Sequence, residues 1–221
     1  MAKNKIQVSY PTMLVLSAAF AAQRTNQGYY KYSVAEGNFV NDEEVPCEPK
    51  VTNRELVYKY LEDQSNINDE DRANAEKLKA YYQGKVFKVL AEGYVSEFDR
   101  SAMKLVEREE LSGGYDIAVA TSLPASYFKG VQRDEGEQRA KFAQGGYLGS
   151  VGDRVTVNIE VLKCIFSQKW NVYFVTAVTD KDQSIFFSYK QDVSYGSKFT
   201  IKGTVKRQDN NQTQLNRVQM I

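Results

Sequence analysis

Apolar and polar positions alternate in five short runs over the last third of the chain, residues 151–221. In the first run Val155, Val157 and Ile159 alternate with polar neighbours, which is the period of a half-buried strand. Turn-forming residues separate this run from those that begin at Trp170, Ser184, Lys198 and Thr213. The pattern predicts five strands joined by turns.

Five short strands within about seventy residues are the size of an oligonucleotide/oligosaccharide-binding (OB) barrel. Gly203 lies in the middle of the fourth run, where a strand can kink or bulge. An SH3-like barrel has a similar strand count, and only the order of the strands in space separates the two. We therefore predict an α+β protein, a helical N-terminal domain followed by an OB-like five-stranded barrel.

The N-terminal part has the spacing and caps of helices. The first apolar run, residues 13–22, predicts a buried helix with Thr12 as N-cap and Gly28 near its end. Because Lys3 and Lys5 precede this run, the alternative to a buried helix is a secretory signal. Further helices are expected over residues 55–62 with Asn53 as cap, from Asn68 toward Gly93, after Ser96, and from Tyr115 to Leu123 before Pro124.

Two stretches lack this periodicity. Residues 29–49 predict an ordered loop or a short strand pair. Residues 131–150 are rich in charge and glycine, a composition typical of a linker or a mobile loop. The predicted division is a helical domain at 1–130, a linker at 131–150 and the barrel at 151–221.

Composition narrows the possible chemistry. The 221 residues contain no histidine, which removes Ser-His and Cys-His nucleophile pairs and the commonest zinc ligand. Cys47 and Cys164 lie far apart, so we expect reduced thiols, no metal site and a cytoplasmic protein. The glycine-rich residues 145–153 lack the Gly-Lys-Ser/Thr of a phosphate-binding loop. We expect no cofactor and no enzymatic activity.

Charge is distributed unevenly between the two parts of the chain. From residue 151 onward there are 10 Lys and Arg against 6 Asp and Glu, net +4, whereas residues 1–150 carry 19 against 22, net −3. The predicted barrel is therefore the basic part, as expected for a domain that contacts phosphates.

Aromatic residues in the second and third strands suggest a binding face. If Val172 and Phe174 point inward on the second strand, and Ile185, Phe187 and Tyr189 do so on the third, then Tyr173, Phe186 and Lys190 point outward. Outward rings can stack bases while cations contact phosphates, although rings in a small barrel also simply fill its core. The candidate nucleic-acid-binding residues are Trp170, Tyr173, Phe186, Lys190, Lys202, Lys206, Arg207 and Arg217.

The barrel sequence resembles the OB domain of bacteriophage-encoded replication and single-stranded-DNA-binding proteins. The likeness is carried by residues 152–164, 170–190 and 196–218, above all by Gly203-Thr-Val-Lys followed by Thr213-Gln-Leu-Asn-Arg-Val. It implies binding of single-stranded DNA in phage replication or recombination, and hence in the host cytoplasm. Beside the resemblance, we expect RNA as an alternative ligand, replication or recombination proteins or a second copy of the chain as partners of the helical domain, and no membrane. The alternative is an OB-like module that binds protein or is structural.

Overall fold

The computed structural model describes residues 8–32, 38–40, 43–45, 51–92 and 95–221. The chain divides into two compact units, Met1–Phe128 and Lys129–Ile221. The first is mainly helical and the second is a closed five-stranded barrel, which confirms the predicted α+β class. Lys3, Lys5 and Cys47 lie outside the described residues.

Helices supply the core of the first unit. Helix α1 is apolar and small-residue-rich over 15–22, and these side chains are buried. Its burial on nearly every side explains why the other helices pack around it, because a helix that is apolar all round must be covered. The helices are α1 (Thr12–Asn26), α2 (Asn53–Glu62), α3 (Asp69–Glu92), α4 (Glu97–Val106) and the first part of α5 (Gly113–Lys141).

Side-chain caps set where these helices begin. Ser96 accepts a hydrogen bond from the Asp99 amide at the start of α4, as predicted. The cap of α2 is Thr52 rather than Asn53, because Thr52 and Glu55 form a reciprocal capping box. Asn53 is fully buried instead, and its amide nitrogen donates to the Gly28 carbonyl.

Short strands complete the first unit. The strands β1 (Ser9–Pro11) and β4 (Glu110–Ser112) pair antiparallel. The strand pair that the sequence offered as one interpretation of residues 29–49 is present as β2 (Asn38–Val40) and β3 (Glu43–Val45).

Helix α5 does not end before Pro124, so that prediction is wrong. Proline removes one backbone donor and normally breaks a helix. Here Ala120 and Leu123 are fully buried in the helical core, and packing on the N-terminal side of the proline supports the helix. The Thr121 hydroxyl also donates to the Ile117 carbonyl, at 2.6 Å.

The prediction of a linker at residues 131–150 is wrong, because these residues pack against the barrel. Residues 131–141 form the end of α5, and Gly136 lies so close to the barrel that an added Cβ would sit 2.3 Å from the Leu162 carbonyl oxygen. Beyond the helix, the Leu148 amide donates to Thr213 Oγ1 at 3.0 Å. The Gly145 amide donates to the Asp182 carbonyl at 2.8 Å. At Gly136 and Gly145, glycine therefore permits close approach of the backbone to the barrel.

The second unit has five strands, β5 (Arg154–Ser167), β6 (Val172–Thr179), β7 (Ser184–Tyr189), β8 (Lys198–Asp209) and β9 (Gln212–Met220). They form a closed barrel with strand order β5-β6-β7-β9-β8. Neighbouring strands are antiparallel except for β7 and β9, which are parallel. This arrangement is consistent with an OB-like barrel. Its buried core is formed by Ile159, Val161, Val175, Ala177, Ile185, Phe187, Val193, Ile201, Val205 and Leu215.

Two local features shape the barrel near its proposed face. Asn210 and Asn211 both have positive φ, of 49° and 60°, which is the conformation of a two-residue hairpin turn between β8 and β9. Arg217 also has positive φ, of 51°, where the register of β9 against β8 shifts. This shift is a bulge, and bulges redirect side chains.

Candidate nucleic-acid interface

Strand β7 separates its two phenylalanines onto opposite faces. Phe187 is fully buried in the barrel core, and Phe186 is half-buried on the outside. Tyr189 packs against the core, on the same side as Phe187. The predicted register of this strand is therefore observed, with Phe186 on the outer face.

Strand β6 has the opposite register from the predicted one. Val175 and Ala177 are the buried core residues, so Tyr173, which shares their parity, lies on the core side and Phe174 on the outer side. Tyr173 contacts Phe166, with ring centroids 5.0 Å apart. Tyr173 does not join the outer face, and Phe174 takes its place.

Phe174 and Phe186 form a stacked pair on the outer surface. Their ring centroids are 5.6 Å apart and their planes differ by 26°. Both rings are half-buried, so each keeps part of its surface accessible. A pair held in this way is preorganised to stack an unpaired base, because neither ring must be ordered when the ligand binds.

One row of outward side chains crosses all five strands of the barrel. The cross-strand partners join Lys163 to Thr176, Thr176 to Phe186, Phe186 to Gln214, and Gln214 to Arg207. We call these five residues the cross-barrel row. Four strand spacings make it about 19 Å long, measured over the curved surface. A cation stands at each end, with an aromatic ring and an amide between them.

The cross-barrel row lines a cleft of about 520 Å³. One wall is the end of α5, including Glu137, Ala140 and Lys141, and the other is the outer surface of β6, β7 and β9. This volume falls in the range of small-ligand sites. The part of α5 that resembled a linker thus builds the site.

Carboxylates already contact both cations of the row. Lys163 Nζ bonds Glu137, and Arg207 bonds Asp209. The side chains of Glu137 and Asp209 are about half-exposed, that of Arg207 is 66% exposed and that of Lys163 is 26% exposed, and ion pairs at exposed sites contribute at most about 1 kcal/mol. Weakening such a pair costs little, so either cation can also contact a phosphate.

A second cleft, of about 380 Å³, lies farther along the same strands. It is lined by Val172, Lys190, Arg217 and Val218 among others. Phe174 stands between the two clefts, since it lies two positions from Val172 on β6 and two from Thr176. The second cleft therefore adds two cations beside the stacked rings.

The other predicted residues lie outside both clefts. Trp170 is in the turn between β5 and β6 with 63% of its surface exposed, and Lys169 Nζ lies 5.1 Å from its ring centroid. Lys202 pairs with Thr156 on β5, about 16 Å along β8 from Arg207. Lys206 is exposed at the bulge before Arg207. The structure thus groups Phe186 with Arg207, and Lys190 with Arg217.

The sequence prediction missed Lys163, Phe174 and Gln214. Thr176 was the signal for the register of β6. It is polar and shares the parity of Phe174, while Tyr173, Val175 and Ala177 form an unbroken apolar set. Lys163 could not be placed from alternation, because a bulge between Val161 and Lys163 changes the parity of β5.

In the described part of the chain, no group of three potential metal ligands occurs. Within the same ranges, no helix combines the length and the apolar composition needed to cross a membrane. Burial raises the pKa of the Cys164 thiol, which keeps it protonated and a poor nucleophile.

Comparison with protein families, with curated proteins and with solved structures finds no match to this chain. The surface of the barrel is therefore the basis on which its function is inferred.

Proposed function

We propose that the barrel binds single-stranded DNA across its outer β6, β7 and β9 surface. Bases stack on Phe174 and Phe186, and phosphates contact Lys163 and Arg207 at the ends of the cross-barrel row. The observation that carries this proposal is the row itself, because a cation, a threonine, an aromatic ring, an amide and a second cation follow one another across the five strands. Single-strand binders combine a cationic groove with stacking rings in this way.

Lys190 and Arg217 extend the same path into the second cleft. With the two cations of the row they give four phosphate contacts, so log Kobs should fall against log salt with a slope of about −3. A modest slope agrees with the net charge of the barrel, which is small for a nucleic-acid binder.

The resemblance of the barrel sequence supports a role in phage replication or recombination in the host cytoplasm. Under this proposal the helical unit mediates docking to replication proteins or self-association, and the protein is not an enzyme. No histidine is present for nucleophilic or acid-base work, which supports a binding function.

The second candidate is a protein-binding module that uses the same surface. The observation that favours it is the mixed charge of the first cleft, where Glu137 and Asp209 stand beside Lys163 and Arg207. Such a surface also complements a peptide that carries both signs of charge.

Titration of fluorescent oligonucleotides at two salt concentrations tests the proposal. The probes are a mixed-sequence DNA strand, the RNA of the same sequence and the corresponding DNA duplex. We expect the single strands to bind more tightly than the duplex, because rings stack only on unpaired bases. Equal or tighter binding to the duplex contradicts the stacking arrangement, and no binding to any probe favours the protein-binding module.

A further inference from the structure

Gln214 lines the first cleft with its side-chain amide. It lies on β9 between Thr213 and Leu215, which are buried inside the barrel, so its own side chain points outward. Cross-strand pairing places it directly between Phe186 and Arg207. Among the described residues, the Gln214 amide has no hydrogen-bond partner.

This position suits contact with the edge of a base. A base stacked on Phe186 presents its edge to the neighbouring strand, where the Gln214 amide offers one donor and one acceptor side by side. On its N6/N7 edge adenine has the matching pair, an amino donor next to a ring-nitrogen acceptor, and glutamine pairs with it through two hydrogen bonds, whereas the corresponding edge of thymine offers an acceptor and a methyl group. In this arrangement Phe186 stacks the base, and Gln214 forms hydrogen bonds with the edge of the same base.

The rim of the cleft strengthens the same preference. Glu137 and Asp209 line it, and a carboxylate has about four lone-pair positions, so each can accept a further hydrogen bond beside its ion pair. Acceptors favour bases that carry an exocyclic amino group, and thymine has none.

We infer that the first cleft reads one base through Gln214 and prefers adenine over thymine. The inference rests on the proposed single-strand binding, and it adds a base preference to a mode of binding that usually tolerates any sequence. Phe186 supplies the platform, and the carboxylate rim excludes a base that offers mainly acceptors.

The experiment compares oligo-dA, oligo-dC and oligo-dT of equal length on wild type, Gln214→Leu and Gln214→Glu. We expect the wild type to bind oligo-dA at least about five-fold more tightly than oligo-dT. Gln214→Leu should bring the ratio of the oligo-dA affinity to the oligo-dT affinity close to one. Gln214→Glu should retain the preference for oligo-dA and oligo-dC, because a carboxylate still accepts from an amino group, while binding all strands more weakly.

Gln219→Leu is the matched control, since Gln219 lies on the same strand outside both clefts. Its ratio of oligo-dA to oligo-dT should equal that of the wild type, and a thermal melt of each variant verifies folding. An unchanged ratio in folded Gln214→Leu, or no preference in the wild type, overturns the inference and leaves single-strand binding standing. If the wild type binds none of the oligonucleotides, the proposed function itself fails.

Discussion

Two adjacent phenylalanines on β7 allow stacking to be separated from packing. Phe187 is fully buried in the barrel core, so Phe187→Ala removes a large side chain and leaves a cavity that costs about 3–5 kcal/mol of unfolding free energy. Phe186 is half-buried and stacks on Phe174, so Phe186→Ala should cost about 0.5–1.5 kcal/mol, the worth of an aromatic pair. The loss of unfolding free energy should therefore be several-fold larger for Phe187→Ala than for Phe186→Ala.

For oligonucleotide binding we expect the opposite order, with a larger effect from Phe186→Ala than from Phe187→Ala. Loss of one stacking ring weakens binding by about 1–3 kcal/mol, roughly 5- to 150-fold in Kd. Phe186→Ala should show this loss while it stays folded, and Phe174→Ala should do the same. The assays are urea unfolding and oligonucleotide titration on each variant, with Tyr173→Ala as the control on the core side of β6.

Two results would refute this reasoning. If folded Phe186→Ala and Phe174→Ala both bind as tightly as the wild type, the stacked pair is not the platform. If Tyr173→Ala loses binding while Phe174→Ala retains it, the register of β6 is the one that alternation first suggested, and the outer face has to be redrawn.

Three further predictions concern the support of the site. Gly136→Ala should destabilise the barrel unit by about 1–3 kcal/mol in urea unfolding, because the new Cβ meets a backbone carbonyl, whereas Gly84→Ala on open helix surface should gain up to about 1 kcal/mol; equal effects would contradict the close approach. Arg217→Gly should leave stability unchanged or higher, since glycine accepts its positive φ, yet weaken binding and lower the salt slope by about 0.7; an unchanged slope excludes a phosphate contact. The hydrogen bond from Arg139 lowers the pKa of Glu160, so its stabilisation should be present above about pH 4 and be lost as the pH falls through the lowered pKa. Unfolding curves at several pH values should show a smaller acid loss in Glu160→Gln than in wild type, and identical losses would count against this contact.

The strand pattern was sufficient to predict the barrel, because alternation with period two and polar turns leaves few other folds for five short runs. It was not sufficient for each register. On β6 both parities are largely apolar, and the decision depends on Thr176 alone. On β5 the bulge between Val161 and Lys163 reverses the parity, and no local residue announces it.

The sequence did not predict that the end of α5 lines the site. Pro124 and the glycines of residues 131–150 favour a break and a linker when read locally. Burial of Ala120 and Leu123 supports α5 beside the proline, and Gly136 permits the helix to approach the barrel. Such tertiary contacts override local propensity, and one sequence alone does not display them.

Photocrosslinking identifies which residues of the protein contact a bound single strand. A mixed-sequence single-stranded oligonucleotide is irradiated with ultraviolet light in the presence of the protein, and mass spectrometry identifies the crosslinked peptides. We predict crosslinks at Phe174 and Phe186 on the outer face of β6 and β7, lost when both are replaced by alanine. Crosslinks confined to the helical unit, or to the β5 and β8 surface around Lys202, would contradict the account.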